Sequence, residues 1–285
     1  MIPDYHMHLE SDETTAPCPY TVERVAIYAD AARQAGLPEF GISEHGHRFV
    51  EFRRSMEPLF GSGFRQHPQV RQWLMREFRE SLERYAGAIV EARRQGLPVR
   101  LGVEVDYVPG QEEAIREAVA QAPWDYVIGS VHFLDGECID CGPEIAWPGA
   151  DVDRVWQRYY EVMAQAAASG LFDVISHPDL PKKFGHRAVH FPQEAFDKFL
   201  QAARARGVAV EVNTAGLRKP VHEIYPGLEI LRRMVRAGLD VHVGSDAHDP
   251  KEVGAGFTEA VSWMKAAGVE RVVRWRGRAR EYAAL

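Results

Sequence analysis

The chain has 285 residues, a formal net charge of −7, 46% hydrophobic and 26% charged residues, and three cysteines. These proportions belong to a folded protein with room for one large core, and they exclude a disordered, fibrous or disulfide-framed chain. The acidic balance also argues against a nucleic-acid partner, whose binding rests on neutralising many phosphates, while leaving room for a small anionic ligand where bound cations supply local charge.

The opening Met1-Ile2-Pro3-Asp4-Tyr5-His6 lacks the basic and apolar regions of a signal peptide, and no apolar run approaches the ~20 residues of a membrane span. A cytoplasmic protein without membrane contact is therefore expected. Asp4-Tyr5-His6 reads as a short strand, and His6 and His8 leave it on one side because residues i and i+2 of a strand share a face. An amphipathic helix then stops at Gly36, and a strand from Phe40 leads to His45. Residues 46–70 carry Phe49, Phe52, Met56, Phe60 and Phe64 among Arg53, Arg54 and Arg65, and read as a rim or lid insertion ahead of a helix spanning 68–94.

The same phrase of helix, glycine stop, apolar strand and polar residue recurs along the chain. Gly96 leads to Val99–Glu104, Gly170 to Phe172–His177, Gly207 to Val208–Asn213, and Gly238 to Val241–Asp246, with His248 just beyond. Each glycine suits the left-handed position that ends a helix. One further strand, Tyr126–His132, follows Pro123. Cys138-Ile139-Asp140-Cys141 spells C-x-x-C, but it has no second pair to make a zinc ribbon and opens no helix, so an inert loop is expected. Seven strands alternating with helices imply right-handed crossovers and parallel pairing: an α/β protein, with residues 1–285 forming a single-domain distorted (βα)7 TIM-like barrel. In such barrels chemistry gathers at the rim formed by the C-terminal ends of the strands.

Eight side chains able to coordinate a cation sit at or just beyond strand ends: His6, His8, His45, Glu104, His132, His177, Asp246 and His248. Packing them together without cations would carry a large desolvation and like-charge cost, and mixed imidazole and carboxylate ligands suit zinc, iron or manganese. His47, His67, His186, His190, His222 and His242 fall outside this pattern and are expected in core or surface positions, with His47 the nearest to the set. The chain holds only six lysines and one asparagine. Lys182, Lys183, Lys219 and Asn213 nonetheless follow predicted strands, where a required residue would persist.

Six motifs carry a family resemblance: Asp4-Tyr5-His6-Met7-His8, Ser43-Glu44-His45, Gly102-Val103-Glu104-Val105-Asp106-Tyr107, Gly129-Ser130-Val131-His132, Ser176-His177-Pro178-Asp179 and Gly244-Ser245-Asp246-Ala247-His248. Across nearly the whole chain the sequence resembles the PHP (polymerase and histidinol phosphatase) metal-dependent phosphoesterases. Segments 129–136, 177–185 and 211–219 resemble its histidinol-phosphatase branch. The resemblance implies hydrolysis of L-histidinol phosphate to L-histidinol and inorganic phosphate in histidine biosynthesis, with two or three divalent transition-metal ions (Zn, Fe or Mn). It implies one ion on His6, His8, Glu104 and Asp246, a second sharing Glu104 with His132 and His177, and a third on His45 and His248. The third site's usual further ligand is replaced here by Tyr20, so Asp12 or Glu13 is expected to complete it.

Chemistry completes the expected site. Glu104 is expected to bridge two ions, and Asp246 or His248 to pass a proton to the departing alkoxide. Arg218 is the first choice for phosphate, supported by Lys182, Lys183 and Arg187 after the fifth strand. The substrate's ammonium and imidazole call for carboxylate or aromatic partners, with Asp106, Glu211 and the insertion's phenylalanines as candidates. A phosphoesterase acting on nucleotides or nucleic acid and a non-catalytic metal-binding module are the competing expectations, and homo-oligomerisation is left open.

Overall fold

The computed structural model describes residues 2–10, 18–60 and 67–285. Its strands are β1 (Phe40–Ile42), β2 (Val99–Asp106), β3 (Tyr126–Ser130), β4 (Phe133–Leu134), β5 (Glu137–Cys138), β6 (Val174–Ile175), β7 (Ala209–Asn213), β8 (Val241–Gly244), β9 (Arg271–Arg276) and β10 (Ala279–Ala284). Six of them form one parallel sheet in the order β1-β2-β3-β6-β7-β8. Its residues are buried on both faces, which is why these strands read as near-continuous apolar runs. The fold is α/β, a curled parallel sheet flanked by α1 (Val22–Gln34), α2 (Pro68–Leu74), α3 (Leu82–Arg94), α4 (Glu112–Val119), α5 (Pro143–Ala146), α6 (Val152–Ala168), α7 (Gln193–Arg206), α8 (Leu228–Arg236) and α9 (Phe257–Ala267).

The expected first strand is reduced to isolated bridges, Asp4 with Phe40 and Met7 with Ala247. Its backbone still spans both sheet edges. The Asp4 carbonyl accepts from Gly41 N and the Met7 carbonyl from Ser43 N, while Tyr5 N donates to the Val243 carbonyl and His8 N to that of Ala247. Asp4, wholly buried, accepts from the amides of Ser245 and Gly254, both at 2.9 Å. The close approach depends on Gly244, where a Cβ would overlap the Cβ of His6.

The helices follow their apolar stripes. In α6 the buried positions Trp156, Tyr159, Tyr160, Met163, Ala166 and Ala167 recur at helical spacing, and Asp151 caps its first turn by accepting from Arg154 N at 3.2 Å. Gly36, Gly96, Gly170, Gly207 and Gly238, the glycine stops, all have positive φ. The helix expected over 68–94 is broken instead into α2 and α3. Between them Phe78 N donates to the His47 carbonyl and Glu80 N to that of Arg48, outward bonds that a helical backbone has no free donors to make. Arg48 stands behind this junction, buried on Glu77 at 2.7 Å and Glu10 at 3.3 Å.

An unexpected hairpin, β9–β10, turns at Gly277 and Arg278, both with positive φ as a two-residue turn of this hand requires. Its Val273 and Trp275 join Tyr5, Tyr126, Ile128, Val174 and Ala209 in a buried cluster. The cluster fills the end of the sheet opposite the rim. Its outer margin pairs charges within the protein, with Glu39 bonded to Tyr5 and Arg100 and lying 3.3 Å from Arg274.

Candidate metal centre

The C-terminal ends of the strands converge, and the expected ligands come with them. Glu104 lies near the end of β2 and is almost fully buried. Its two oxygens face different partners: Oε2 lies 2.8 Å from His45 Nδ1, 3.3 Å from His6 Nε2 and 3.6 Å from His8 Nε2, whereas Oε1 lies 3.2 Å from His177 Nε2 and 3.6 Å from His132 Nε2. Asp246 Oδ1 lies 3.4 Å from His8 Nε2, 3.5 Å from His248 Nε2 and 3.6 Å from His6 Nε2. All eight expected ligands that fall within the described residues thus meet in one cluster. Three of its groups have geometry that could hold an ion: His6, His8 and Asp246; Glu104, His132 and His177; and His8, His45 and His248. Asp12 and Glu13 lie outside the described residues.

The cluster fits cations on its own chemistry. His6 Nε2, His8 Nε2 and Glu104 Oε2 are buried with no hydrogen-bond partner among the described residues. Neither Glu104 nor Asp246 is paired with a lysine or arginine among the described residues. Burial disfavours charge on the His45 imidazole and, with His8 beside it, takes it down to about 3. For His6 the carboxylates Glu211, Asp246 and Glu104 overcome burial and hold the pKa well above its ordinary value, and for His132 Asp140, Asp106 and Glu104 push it up to about 10. Carboxylates that attract protons onto buried imidazoles attract a divalent cation at the same place.

Behind the cluster stands a row of carboxylates that fixes the imidazoles. Glu211 Oε1 is 2.6 Å from His6 Nδ1, and its other oxygen accepts from the amide of His177 at 3.0 Å. Glu44 faces His8 Nδ1 at 3.4 Å and accepts from Leu9 N at 3.0 Å. Asp106 takes His132 Nδ1 at 2.7 Å and His47 Nδ1 at 3.1 Å. The far nitrogens of His6, His8 and His47 have no hydrogen-bond partner among the described residues and that of His132 faces His177 at 3.2 Å, the arrangement by which outer partners fix the tautomer and orientation of a metal-bound histidine. Asp106 and Glu211, which the sequence offered as substrate partners, are spent on these imidazoles. Glu44 went unnoticed, although it adjoins His45 in the same motif.

The cationic candidates separate. Lys183 lines the cavity over the cluster, a space of about 70 Å³ that Lys219 and Tyr225 also border. The Lys219 ammonium has no ion pair or hydrogen bond among the described residues, so it is uncommitted. Lys182 is buried away from that space on Asp179 and Glu223, both at 2.9 Å, and Arg187 is exposed on Glu223 at 3.0 Å. Arg218 donates to the Ser245 carbonyl at 2.7 Å and pairs with Glu252 at 3.1 Å, so it clamps the loop that carries Asp246.

A second cavity of about 380 Å³ adjoins the first and shares His45, His132, Asp140 and Lys183 with it. The end of the insertion contributes Gln69 and Val70 to this wall, and α2 beyond it adds Trp73. Among the described residues the insertion's phenylalanines do not line the cavity, Phe49 and Phe52 being core residues, and Phe64 lies outside the described residues. The C-x-x-C loop, expected to be inert, also borders this cavity, with Cys138 and Cys141 joined as a disulfide.

The remaining histidines divide as expected between core and surface. His242 is fully buried and accepts from Trp275 Nε1 at 3.0 Å, His186 stacks on Trp147, and His67 caps α2. His47 is the exception: it joins the cavity wall, its ring stacked on His45 with centroids 4.6 Å apart.

The fold and the cluster together define a class: an α/β protein with a buried, metal-binding centre of histidines and carboxylates at the strand ends. Residues 4–215 match the PHP domain model, and the chain belongs to the PHP family. A Deinococcus radiodurans protein named probable histidinol-phosphatase is 35% identical over 277 residues, covering 96% of each chain. A Schizosaccharomyces pombe protein of the same name is 25% identical over 264 residues, 84% of this chain and 79% of its own. The fold matches the crystal structure of histidinol phosphate phosphatase from Lactococcus lactis, solved with zinc, L-histidinol and phosphate, at a TM-score of 0.74 and 19% identity over 98% of both chains.

Proposed function

We propose that the protein is a histidinol-phosphatase, a phosphomonoesterase that hydrolyses L-histidinol phosphate to L-histidinol and inorganic phosphate in histidine biosynthesis. The observation that carries this reading is the joining of two cavities: one small and lined by the candidate ligand cluster with Lys183 and Lys219, the other larger, with an aromatic wall and the carboxylates Asp106 and Asp140. The first suits a phosphate and the second the rest of a small amino alcohol. The likeness to relatives that bear this name over nearly the full chain supports the same substrate. A cavity of about 380 Å³ and a net charge of −7 favour a small molecule over nucleic acid.

Two or three ions would be held by His6, His8 and Asp246, by Glu104, His132 and His177, and by His8, His45 and His248. Divalent ions at such sites neutralise phosphate charge and lower the pKa of water. The chain's own residues do the rest. Glu104 links the groups through its two oppositely facing oxygens. Glu211, Glu44 and Asp106 hold the imidazoles so that their free nitrogens converge. Lys183 and Lys219 face the phosphate, with Arg218 securing the loop between them and Asp246. Asp246 or His248, on the open side of the cluster, passes a proton to the departing alkoxide oxygen. The segment 4–8 acts as the seventh stave of a distorted (βα)7 barrel, and the chain forms one domain with α2 as the rim element over the site. No helix among the described residues is long and apolar enough to cross a membrane, and a cytoplasmic location fits the biosynthetic role.

The test is phosphate release under matched metal loading from L-histidinol phosphate, a nucleoside monophosphate and an imidazole-free phosphomonoester. L-histidinol phosphate is expected to show the highest kcat/KM. A nucleotide turned over as well or better would overturn the substrate assignment.

A further inference from the structure

We infer that Asp140 is the residue that selects a substrate bearing an ammonium group next to its phosphate ester; the inference rests on the histidinol-phosphatase reading above. Asp140 sits at the junction of the two cavities and lines both. The other carboxylates in these walls are occupied, with Glu104 and Asp246 facing the cluster imidazoles and Asp106 bonded to His132 and His47. Asp140, whose charge also acts on His132, is the one carboxylate lining them that pairs with an ammonium among the described residues, that of Lys183, 3.2 Å from its carboxylate and 2.9 Å from its carbonyl.

Its position is built rather than incidental. The Cys138–Cys141 disulfide brackets it, Ile139 N donates to the His132 carbonyl at 2.9 Å, and Trp147 Nε1 donates to the Ile139 carbonyl at 3.0 Å. The loop that read as inert is thereby pinned to the strand end that carries His132. A carboxylate so fixed loses little entropy on pairing with a ligand cation.

The substrate's charges match this arrangement. In L-histidinol phosphate the ester oxygen and the ammonium stand on adjacent carbons, so a phosphate in the cluster cavity leaves the ammonium at its mouth. The imidazole then points into the larger cavity, toward Trp73 and Phe133. A ligand with both charges replaces the Lys183–Asp140 pair by its own: Lys183 turns to the phosphate and Asp140 to the ammonium. A ligand without the amino group must draw Lys183 away and leave Asp140 unmatched, which is how a polar site rejects an analogue lacking the complementary group.

The experiment measures kcat/KM for L-histidinol phosphate and for the analogue that keeps phosphate and imidazole but has hydrogen in place of the amino group. Wild type, Asp140→Asn and Asp140→Glu are compared at equal measured metal content. Inhibition by the two corresponding alcohols provides a binding readout independent of turnover. In Asp140→Asn the preference for the amine-bearing substrate is expected to fall by about 10- to 100-fold, the worth of a hydrogen bond to a charged group. The preference among the alcohols should fall with it, and Asp140→Glu should keep part of both. An unchanged preference, or equal losses on both substrates, overturns the inference while leaving the phosphatase reading in place. If wild type itself turns over a nucleotide better than either compound, the reading and the inference fall together.

Discussion

The two ends of the curled sheet both bury charge, and they handle it in opposite ways. At the end closed by the β9–β10 hairpin, three acids meet basic residues of the protein: Glu39 meets Arg100 and Arg274, Asp125 meets Arg93, and Asp173 meets Arg278. At the rim, Glu104 and Asp246 meet only histidines and small polar groups among the described residues. A buried acid is tolerable when its counter-charge travels with the fold. Where the protein withholds that counter-charge, the site is arranged for a cation from outside. The closed end is a structural solution, and the rim is a binding solution made from the same residue types.

The comparison can be broken most sharply at Glu104. Glu104→Gln keeps the shape and removes the charge, so kcat/KM should fall by more than about 100-fold, beyond the 10- to 100-fold typical of losing an outer partner. Elemental analysis should show metal content falling with it. Retention of both would make the rim a structural charge network like the other end. Next in size is Asp106→Asn, which weakens the hold on His132 and His47 without touching the cluster directly. A loss of about 10- to 100-fold in activity or metal affinity is expected, and metal titration with normal affinity would show that Asp106 serves packing alone.

Gly244→Ala tests the seam between the two ends. Its added methyl collides with His6, so thermal unfolding should report a loss of about 1–3 kcal/mol. Metal occupancy should drop as well if His6 is a ligand as proposed; full occupancy at reduced stability would show that the first segment yields without moving its imidazole.

The smallest expected effect lies below the rim. Burial drives His242 down to about 4, although Glu211 pulls the other way. A histidine whose folded pKa lies below its unfolded value of about 6.5 contributes stability that is complete above that value and is lost as pH falls toward 4. In His242→Gln, with metal loading matched, Tm should fall less steeply between pH 6.5 and 4.5 than in wild type. Parallel curves would remove His242 from the acid response.

Much of the rim was legible before any fold was known. Motif residues at strand ends named each of the eight candidate ligands now seen together, because parallel strands place their C-terminal ends on one side whatever the details of packing. The helix over 68–94 misled because its apolar spacing continues through 75–81, while the backbone there is claimed by His47 and Arg48 across the insertion. The hairpin at 271–284 escaped notice because Val272, Val273 and Trp275 break a simple alternation. Its turn signal, Gly277-Arg278, is a weak one. Lys182 and Lys183 are neighbours of one type, and no local signal could tell that the first is buried on Asp179 while the second lines the cavity.

By itself the sequence determined the α/β class, the main alternation of parallel strands with helices, and which histidines and carboxylates would gather at the rim. Those follow from periodicity, glycine stops and residue chemistry, which act over a few residues. Only the tertiary structure decided which carboxylates hold imidazoles and which face a cavity, which of two adjacent lysines is uncovered, and that Asp140 stands where two cavities meet. Those depend on the direction of side chains brought together from distant segments, and direction is set by packing, which sequence spacing does not encode.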